Sequence, residues 1–266
     1  MTASKSSWLI PLILFLGIAA ALLYISRSPQ ESPIVSEPAK PTSPPADEEV
    51  PRHPLPSQPE PATESPPLPP LPPLEDSDDL VVETLIELFG FGMEELLVDA
   101  SLIEKFVTTI DNLPRSHVAE KVRPLRRVAA MFSVEAREDG ETYSISPSNY
   151  ERYDLLVNLL TSVRTDNIVS TYRRFYPLLQ QAYVNLGYPD GYFNDRVVEV
   201  IDHLLETPQT DDEILLVRPH VLYEYADPEL ETLSSGQKLL LRMGSKNAAR
   251  VRQQLRELRV QLADNA

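Results

Sequence analysis

Asp166-Asn167-Ile168-Val169-Ser170-Thr171-Tyr172-Arg173-Arg174-Phe175-Tyr176-Pro177-Leu178-Leu179-Gln180-Gln181-Ala182-Tyr183-Val184-Asn185-Leu186 is the longest helical pattern in the chain. Ile168, Tyr172, Phe175, Leu179, Ala182 and Leu186 recur at spacings of 4, 3, 4, 3 and 4, which places them on one helical face. A stripe of that length needs other elements to cover it, so helices set the fold. Gly187 supplies the left-handed stop. Pro177 has no amide proton and its ring crowds the preceding turn, so a kink or break is expected near Tyr176.

Upstream, Ser146-Pro147 restarts a helix, Ser148-x-x-Glu151 matches a capping box, and the helix should run to about Arg164. Before it the period changes from helical to alternating. Phe132, Val134 and Ala136 alternate with polar residues up to Asp139-Gly140, and Tyr143 and Ile145 alternate after it, the signature of a type I′ hairpin. Asp78 and Asp79 cap a helix from Leu80 to Phe89, a short helix covers Met93 to Val98, and another runs from Ser101 to Asn112 before Pro114.

Downstream, Asn194 caps a helix from Asp195 to Glu206. Ile214 to Val217 and Val221 to Tyr225 read as two short strands split by Arg218-Pro219-His220. Asp227-Pro228-Glu229 reads as a helix start, with cap, Pro at the first position and acid near the positive end. Ser235 to Met243 and Ser245 to Ala263 are helices joined at Gly244. The expected fold is α+β: a predominantly α-helical domain with a small β-hairpin and strand portion, spanning residues 78–266.

The rest of the chain differs in kind. Residues 1–7 form a short tail. Trp8 to Ile25 is an uncharged run of 18 residues, about 27 Å as a helix, with Trp8 and Tyr24 at its ends. It reads as a single transmembrane helix. Ala19-Ala20-Ala21 offers the rival reading of a cleavage site, against which the apolar run continues through Leu22, Leu23, Tyr24 and Ile25. Residues 26–77 form a spacer, and Pro29 to Pro73 holds 17 of the 26 prolines. Scarce apolar residues and absent aromatics leave that stretch nothing to offset chain entropy, while proline stiffens it. By this reading it adds nothing to the stability of the domain.

Net charge is −16, which argues against nucleic acid as a partner. The absence of Cys excludes disulfides, a thiol nucleophile and thiolate metal ligands. His53, His117, His203 and His220 are too scattered for a ligand pair, and no nucleotide or cofactor fingerprint occurs, so no metal or cofactor is expected. Carboxylates cluster at Asp211-Asp212-Glu213 and at Asp227, Glu229 and Glu231, which keeps open an enzyme acting on cell-wall polymer across a cleft. Tyr150, Tyr153, Tyr172, Tyr176, Tyr183, Tyr188 and Tyr192 crowd together with Arg152, Arg173 and Arg174, as a recognition surface or, in keeping with their spacing, as core.

Charge is polarised along the chain. Gly236 to Val260 carries Lys238, Arg242, Lys246, Arg250, Arg252, Arg256 and Arg259 against Glu257, a net +6, behind a stretch from Leu80 to Ser235 with 13 basic and 27 acidic residues. Ala248, Val251, Leu255, Leu258 and Leu262 form one stripe, which either packs on its own domain or serves as a coiled-coil seam for a homo-oligomer. At the start of that helix Ser245, Lys246, Asn247 and Arg250 are the candidate anion- or partner-docking residues. Gly244 and Ala248 also match half of a helix-hairpin-helix DNA-binding loop, with Arg242 in place of the first glycine.

Four segments carry a resemblance: Asn149-Tyr150-Glu151-Arg152-Tyr153-Asp154, Leu186-Gly187-Tyr188-Pro189, Ala226-Asp227-Pro228-Glu229-Leu230-Glu231 and Gln237-Lys238-Leu239-Leu240-Leu241-Arg242-Met243-Gly244. Over about residues 80–262 the chain resembles a bacterial membrane-anchored family known only as a domain of unknown function. The resemblance implies a bacterial envelope protein and brings no catalytic residues. Lys5 and Arg27 nearly cancel under the positive-inside rule, and the short N-terminal tail with its α-amino charge favours a cytoplasmic N-terminus, so the expected protein is single-pass in the inner membrane with its C-terminal domain periplasmic. The expected function is a non-enzymatic interaction or scaffold module presented on a stiff spacer to an envelope protein or wall partner.

Overall fold

The computed structural model describes residues 50–55, 69–126, 132–210 and 213–263. The Trp8–Ile25 helix, its orientation and the possible cleavage at Ala19-Ala20-Ala21 lie outside these residues. Among the described residues no helix is long and apolar enough to cross a membrane.

The helices are α1 (Asp78–Phe89), α2 (Leu102–Asn112), α3 (Ser148–Glu151), α4 (Asp154–Ser162), α5 (Thr165–Leu186), α6 (Phe193–Leu205), α7 (Pro228–Thr232), α8 (Ser235–Arg242) and α9 (Gly244–Ala263). Short 3-10 turns cover Leu74–Asp76, Phe91–Leu96 and Glu120–Val122. The strands β1 (Val134–Ala136), β2 (Tyr143–Ile145), β3 (Leu215–Val217) and β4 (Glu224–Tyr225) form one antiparallel sheet in chain order. The fold is thus mostly helical with a small four-stranded sheet, an α+β arrangement.

The long helix α5 sits at the centre, as its stripe requires. Ile168, Tyr172, Phe175, Leu179 and Ala182 are all buried, and Leu186 at the end of the stripe is exposed. It packs against α2, α6 and α9. Of the kink or break expected near Tyr176, the break does not occur: the helix runs on through Pro177. Pro177 removes one rung of the ladder, but Phe175, Leu178 and Leu179 on either side of it are buried, and that packing holds both halves in one helix. Tyr153, Tyr172 and Tyr183 lie in the core, and Tyr150, Tyr176, Tyr188 and Tyr192 are half-buried around it.

The single helix expected after Pro147 is two, α3 and α4, separated by Arg152-Tyr153. The capping box does not form. The Ser148 hydroxyl instead meets those of Ser133 and Ser146, and buried Asn149 accepts the Ser133 N–H at 3.1 Å, which pins α3 to the start of the sheet. The hairpin is present, with Val134 opposite Ile145 and Ala136 opposite Tyr143. Its turn is longer than type I′, because the Asp139 carboxylate accepts the N–H groups of Glu141 and Thr142 at 2.9 Å and the Thr142 hydroxyl at 2.6 Å. The sheet closes a second, smaller core of Ile145, Leu216, Tyr225 and Leu241.

Caps differ from expectation in an instructive way. Asp78 begins α1, and its carboxylate reaches across to accept the N–H groups of Ser101 (2.7 Å) and Leu102 (2.8 Å), capping α2. Asp227 and Pro228 start α7 as the sequence predicts, with the Asp227 carboxylate taking the Glu229 N–H at 2.8 Å. Ser234 and Gln237 form a reciprocal capping box on α8. The packed body also begins earlier than residue 78, since Leu74 and Ser77 are buried.

The apolar stripe of α9 is covered by its own domain. Ala248, Val251, Leu255, Leu258 and Leu262 are all buried against α4, α5, α6 and α8. At its start Gly244 holds φ +78°, and a Cβ there would lie 2.8 Å from the Tyr150 ring. Gly244→Ala should therefore destabilise the domain by about 2–3 kcal/mol, from left-handed strain plus a clash with a rigid ring. Denaturant titration should show a lower midpoint at unchanged m-value.

Candidate functional site

The most complete constellation of polar groups lies at the start of α6. A helix leaves its first N–H groups without intrahelical partners. Here α5 supplies two acceptors. Gln180 Oε1 accepts the Phe193 N–H at 2.8 Å, and the Tyr176 hydroxyl accepts the Asn194 N–H at 3.2 Å. Burial raises the Tyr176 phenol far above its ordinary value, so it stays protonated and donates to Gln180 Oε1 at 2.9 Å. Asn194, expected as the cap, is fully buried inside the first turn instead. With the backbone donors already met by α5, its side-chain amide is free for another task.

That task is to hold a segment of the proline-rich stretch. Asn194 Nδ2 donates to the His53 carbonyl at 2.8 Å and to the Leu262 carbonyl at 3.1 Å. Asp195, one residue on, accepts the Arg52 N–H at 2.9 Å and the His53 N–H at 2.7 Å, one on each carboxylate oxygen. The Tyr192 hydroxyl accepts the Leu55 N–H at 3.0 Å. The Arg52 guanidinium pairs with Glu199 one turn further along, and the Leu55 side chain packs against the main core. Part of the stretch read as an inert spacer is thus bound to the domain.

A network of charges anchored on the buried Asp111 carboxylate backs the site. Glu199 also pairs with Arg196 at 3.3 Å, and Arg196 Nε bonds the Asp111 carboxylate at 3.0 Å while its Nη2 bonds the Asp111 carbonyl at 2.8 Å. Asp111, with its side chain 4% exposed, further accepts Arg115 at 2.9 Å and the Tyr188 hydroxyl at 3.2 Å. The last residues of α2, the start of α6 and Arg52 therefore share one chain of charges.

The four residues singled out by sequence lie in the first two turns of α9 and differ in exposure. Ser245 and Lys246 are exposed in the first turn of α9. Asn247 is buried and donates to the Tyr150 carbonyl (3.2 Å) and the Asp154 carboxylate (2.8 Å). Arg250 bonds Asn158 at 2.8 Å and Thr161. Other cations of α8 and α9 are likewise engaged within the domain. Lys238 pairs with Glu231, Arg242 lies over the Tyr225 ring, buried Arg252 donates to the Thr207 and Pro208 carbonyls, and Arg259 pairs with Asp202.

The carboxylates weighed for catalysis have structural duties too. Asp227 is a cap, Glu231 accepts the Tyr225 N–H at 2.8 Å, and Glu213 pairs with Arg137. Asp211 and Asp212 lie outside the described residues. His203 Nε2 stands 2.9 Å from Ser234 Oγ, but that buried hydroxyl accepts the Gln237 N–H as a helix cap, which assigns the pair to structure. A shallow open cavity of about 330 Å³ lies elsewhere, between the β1–β2 turn and Arg218-Pro219. Among the described residues no group of His, Asp and Glu could hold a metal ion.

Sequence reasoning missed Arg52, Leu55, Tyr192, Asp195 and Glu199. One signal was present: between Arg27 and Lys105 the chain has two basic residues, Lys40 and Arg52, and Arg52 is followed by a histidine and a leucine in a proline frame.

These features define a mostly helical α+β domain that holds part of its own N-terminal stretch. The chain belongs to the family described as Protein of unknown function (DUF3014), whose model matches residues 102–259. No curated protein and no solved structure matches the chain. Asp111, Tyr192, Asn194, Asp195, Arg196 and Glu199 all fall inside the matched range, and Arg52–Leu55 falls outside it.

Asp111→Ala should destabilise the domain by about 2 kcal/mol, because Arg196 loses its buried carboxylate partner and keeps only the more exposed Glu199, and thermal melting checks this. The site should also respond to acid. Burial works to raise the Glu199 carboxyl, but hydrogen bonds and charge from Arg52 and Arg196 outweigh it and hold the group below its ordinary 4.5. A depressed carboxyl contributes fully above its unfolded value and loses that contribution as pH falls through the folded one. Hydrogen exchange at the Arg52 and His53 amides should accelerate as pH drops below 4.5, relative to the intrinsic rate, and Glu199→Gln should remove that step.

Proposed function

We propose that the protein is a non-enzymatic interaction module of the cell envelope, carried on a proline-rich tether behind a membrane helix at Trp8–Ile25. The observation that carries the reading is the contact at α6, where the domain grips a short segment by its backbone amides with Asp195 and Tyr192. Grips of that kind suit recognition of polypeptide. The uncharged run from Trp8 to Ile25 supports the anchor, and the resemblance in layout to membrane-anchored bacterial proteins supports the inner membrane, with the domain periplasmic. The partner is then an envelope protein or a wall component. For docking an anion, Ser245 and Lys246 are the candidate residues that point outward, whereas Asn247 and Arg250 are held by α4 and its approach.

Fractionation tests the address. The full chain should sediment with membranes and resist high-salt extraction, and a C-terminal reporter active only in the cytoplasm should stay silent. A soluble product with a new N-terminus near Leu22 would overturn the anchor, and an active reporter would reverse the topology.

A further inference from the structure

The grip at α6 is complete for one short stretch of backbone. Arg52 and His53 give their N–H groups to Asp195, and Leu55 gives its N–H to Tyr192. Pro54, between them, has no N–H to give. The site offers an acceptor at each position where the segment has a donor. The His53 carbonyl is held as well, by Asn194, so both backbone polar groups of His53 are engaged where the segment bends. Pro51 and Pro54 each fix one backbone torsion on either side of the bend at Arg52-His53, which lowers the entropy lost on docking.

Side chains add selection. Glu199 pairs with Arg52, and the core surface takes Leu55. Pro51 and Pro54 are exposed, so they contribute shape rather than contacts. The receiving groups do not depend on the segment for their placement. Asn194 is buried in the first turn of α6, its second amide proton is held by Leu262, and Glu199 is oriented by Arg196, itself fixed to Asp111. Emptying the site would leave one buried Asn194 donor and two carboxylate oxygens of Asp195 without these partners.

We propose that the first turn of α6 is a peptide-binding site for a short, bent Arg-x-Pro-Leu segment, and that the chain's own Arg52–Leu55 is its resident ligand in cis. The inference deepens the reading of the protein as an interaction module. Residues 56–68 join the segment to the rest of the domain, a link of 13 residues. A short link gives an effective concentration of about 1 mM, so cis occupancy needs an intrinsic affinity of only about that order. The contact is therefore a weak one made persistent by tethering.

The full chain carries its own readout, since trypsin cleaves after Arg52. In purified full-length protein that bond should be cut about tenfold more slowly than in a free peptide of residues 46–60, because cleavage requires undocking. Asp195→Asn should restore the peptide rate. If that variant unsettles the fold, Glu199→Gln, on a more exposed side chain, should accelerate the cut while lowering the melting temperature by no more than a few degrees. Protection that persists over about a hundredfold dilution marks a contact in cis, whereas loss on dilution would show exchange between copies and overturn the cis assignment.

A second arm tests the receptor. Full-length protein carrying Arg52→Glu and Leu55→Ser should bind the 46–60 peptide with half-saturation near about 1 mM, seen as shifts of the Phe193 and Asn194 amide resonances, and the unaltered protein should bind it far more weakly. Absence of binding to the altered chain, or cutting of the unaltered one at the peptide rate, sinks the proposal. Neither arm involves a membrane, so failure of the proposed anchor and failure of this site are read separately.

Discussion

The start of α6 is the constraint on which the rest of the structure turns. Phe193 and Asn194 are fully buried there, and a buried helix start with unmet N–H groups would cost several kcal/mol. The protein meets that cost from α5, through Gln180 and Tyr176. This fixes α5 and α6 end to end and explains why Pro177 can sit within α5 without breaking it, since the turn after it is held by Gln180. Gln180 also donates to the Gly191 carbonyl at 2.7 Å, closing the connection between the helices. Asn194, released from capping, then joins the end of α9 to the tether.

Much of this architecture was legible in the residues. The spacing through Ile168, Tyr172, Phe175, Leu179 and Ala182 placed the central helix and its buried face. Asp227-Pro228 marked the start of α7, and Asp139-Gly140 marked a hairpin. Local signals failed where a side chain had a better partner far away in sequence. Asp78 reads as the cap of its own helix yet serves α2. Ser148 reads as a capping box yet bonds Ser133 and Ser146. Asn194 reads as a cap yet binds His53 and Leu262. All three are short polar residues whose hydrogen-bonding capacity does not specify direction, so only tertiary structure could decide.

The candidate site was less legible, for a related reason. Composition shows that the stretch from Pro29 to Pro73 cannot build a core of its own, but says nothing of whether it can dock on one. Arg52 and Leu55 are isolated in sequence, and their receptors Asp195 and Glu199 are ordinary acidic positions on an amphipathic helix. The polarised charge of the C-terminal helices was legible, and its use was not. Arg252 satisfies backbone carbonyls, and Arg259 and Lys238 meet acidic partners within the domain. The family match includes the receiving residues and excludes the received segment, so the receptor belongs to the shared domain and the strap to its flank.

The strap also changes how the domain would respond to mechanical load. Tension arriving from the N-terminal side meets the folded body first at Arg52–Leu55, and only afterwards at Leu71 and Leu74, which pack against the main core. The first attachment is a handful of hydrogen bonds and an exposed ion pair, while the second lies against the main core. A pull would therefore part the strap before it strained the body. The contact at α6 would yield as a fuse does, and the core behind it would be spared the force.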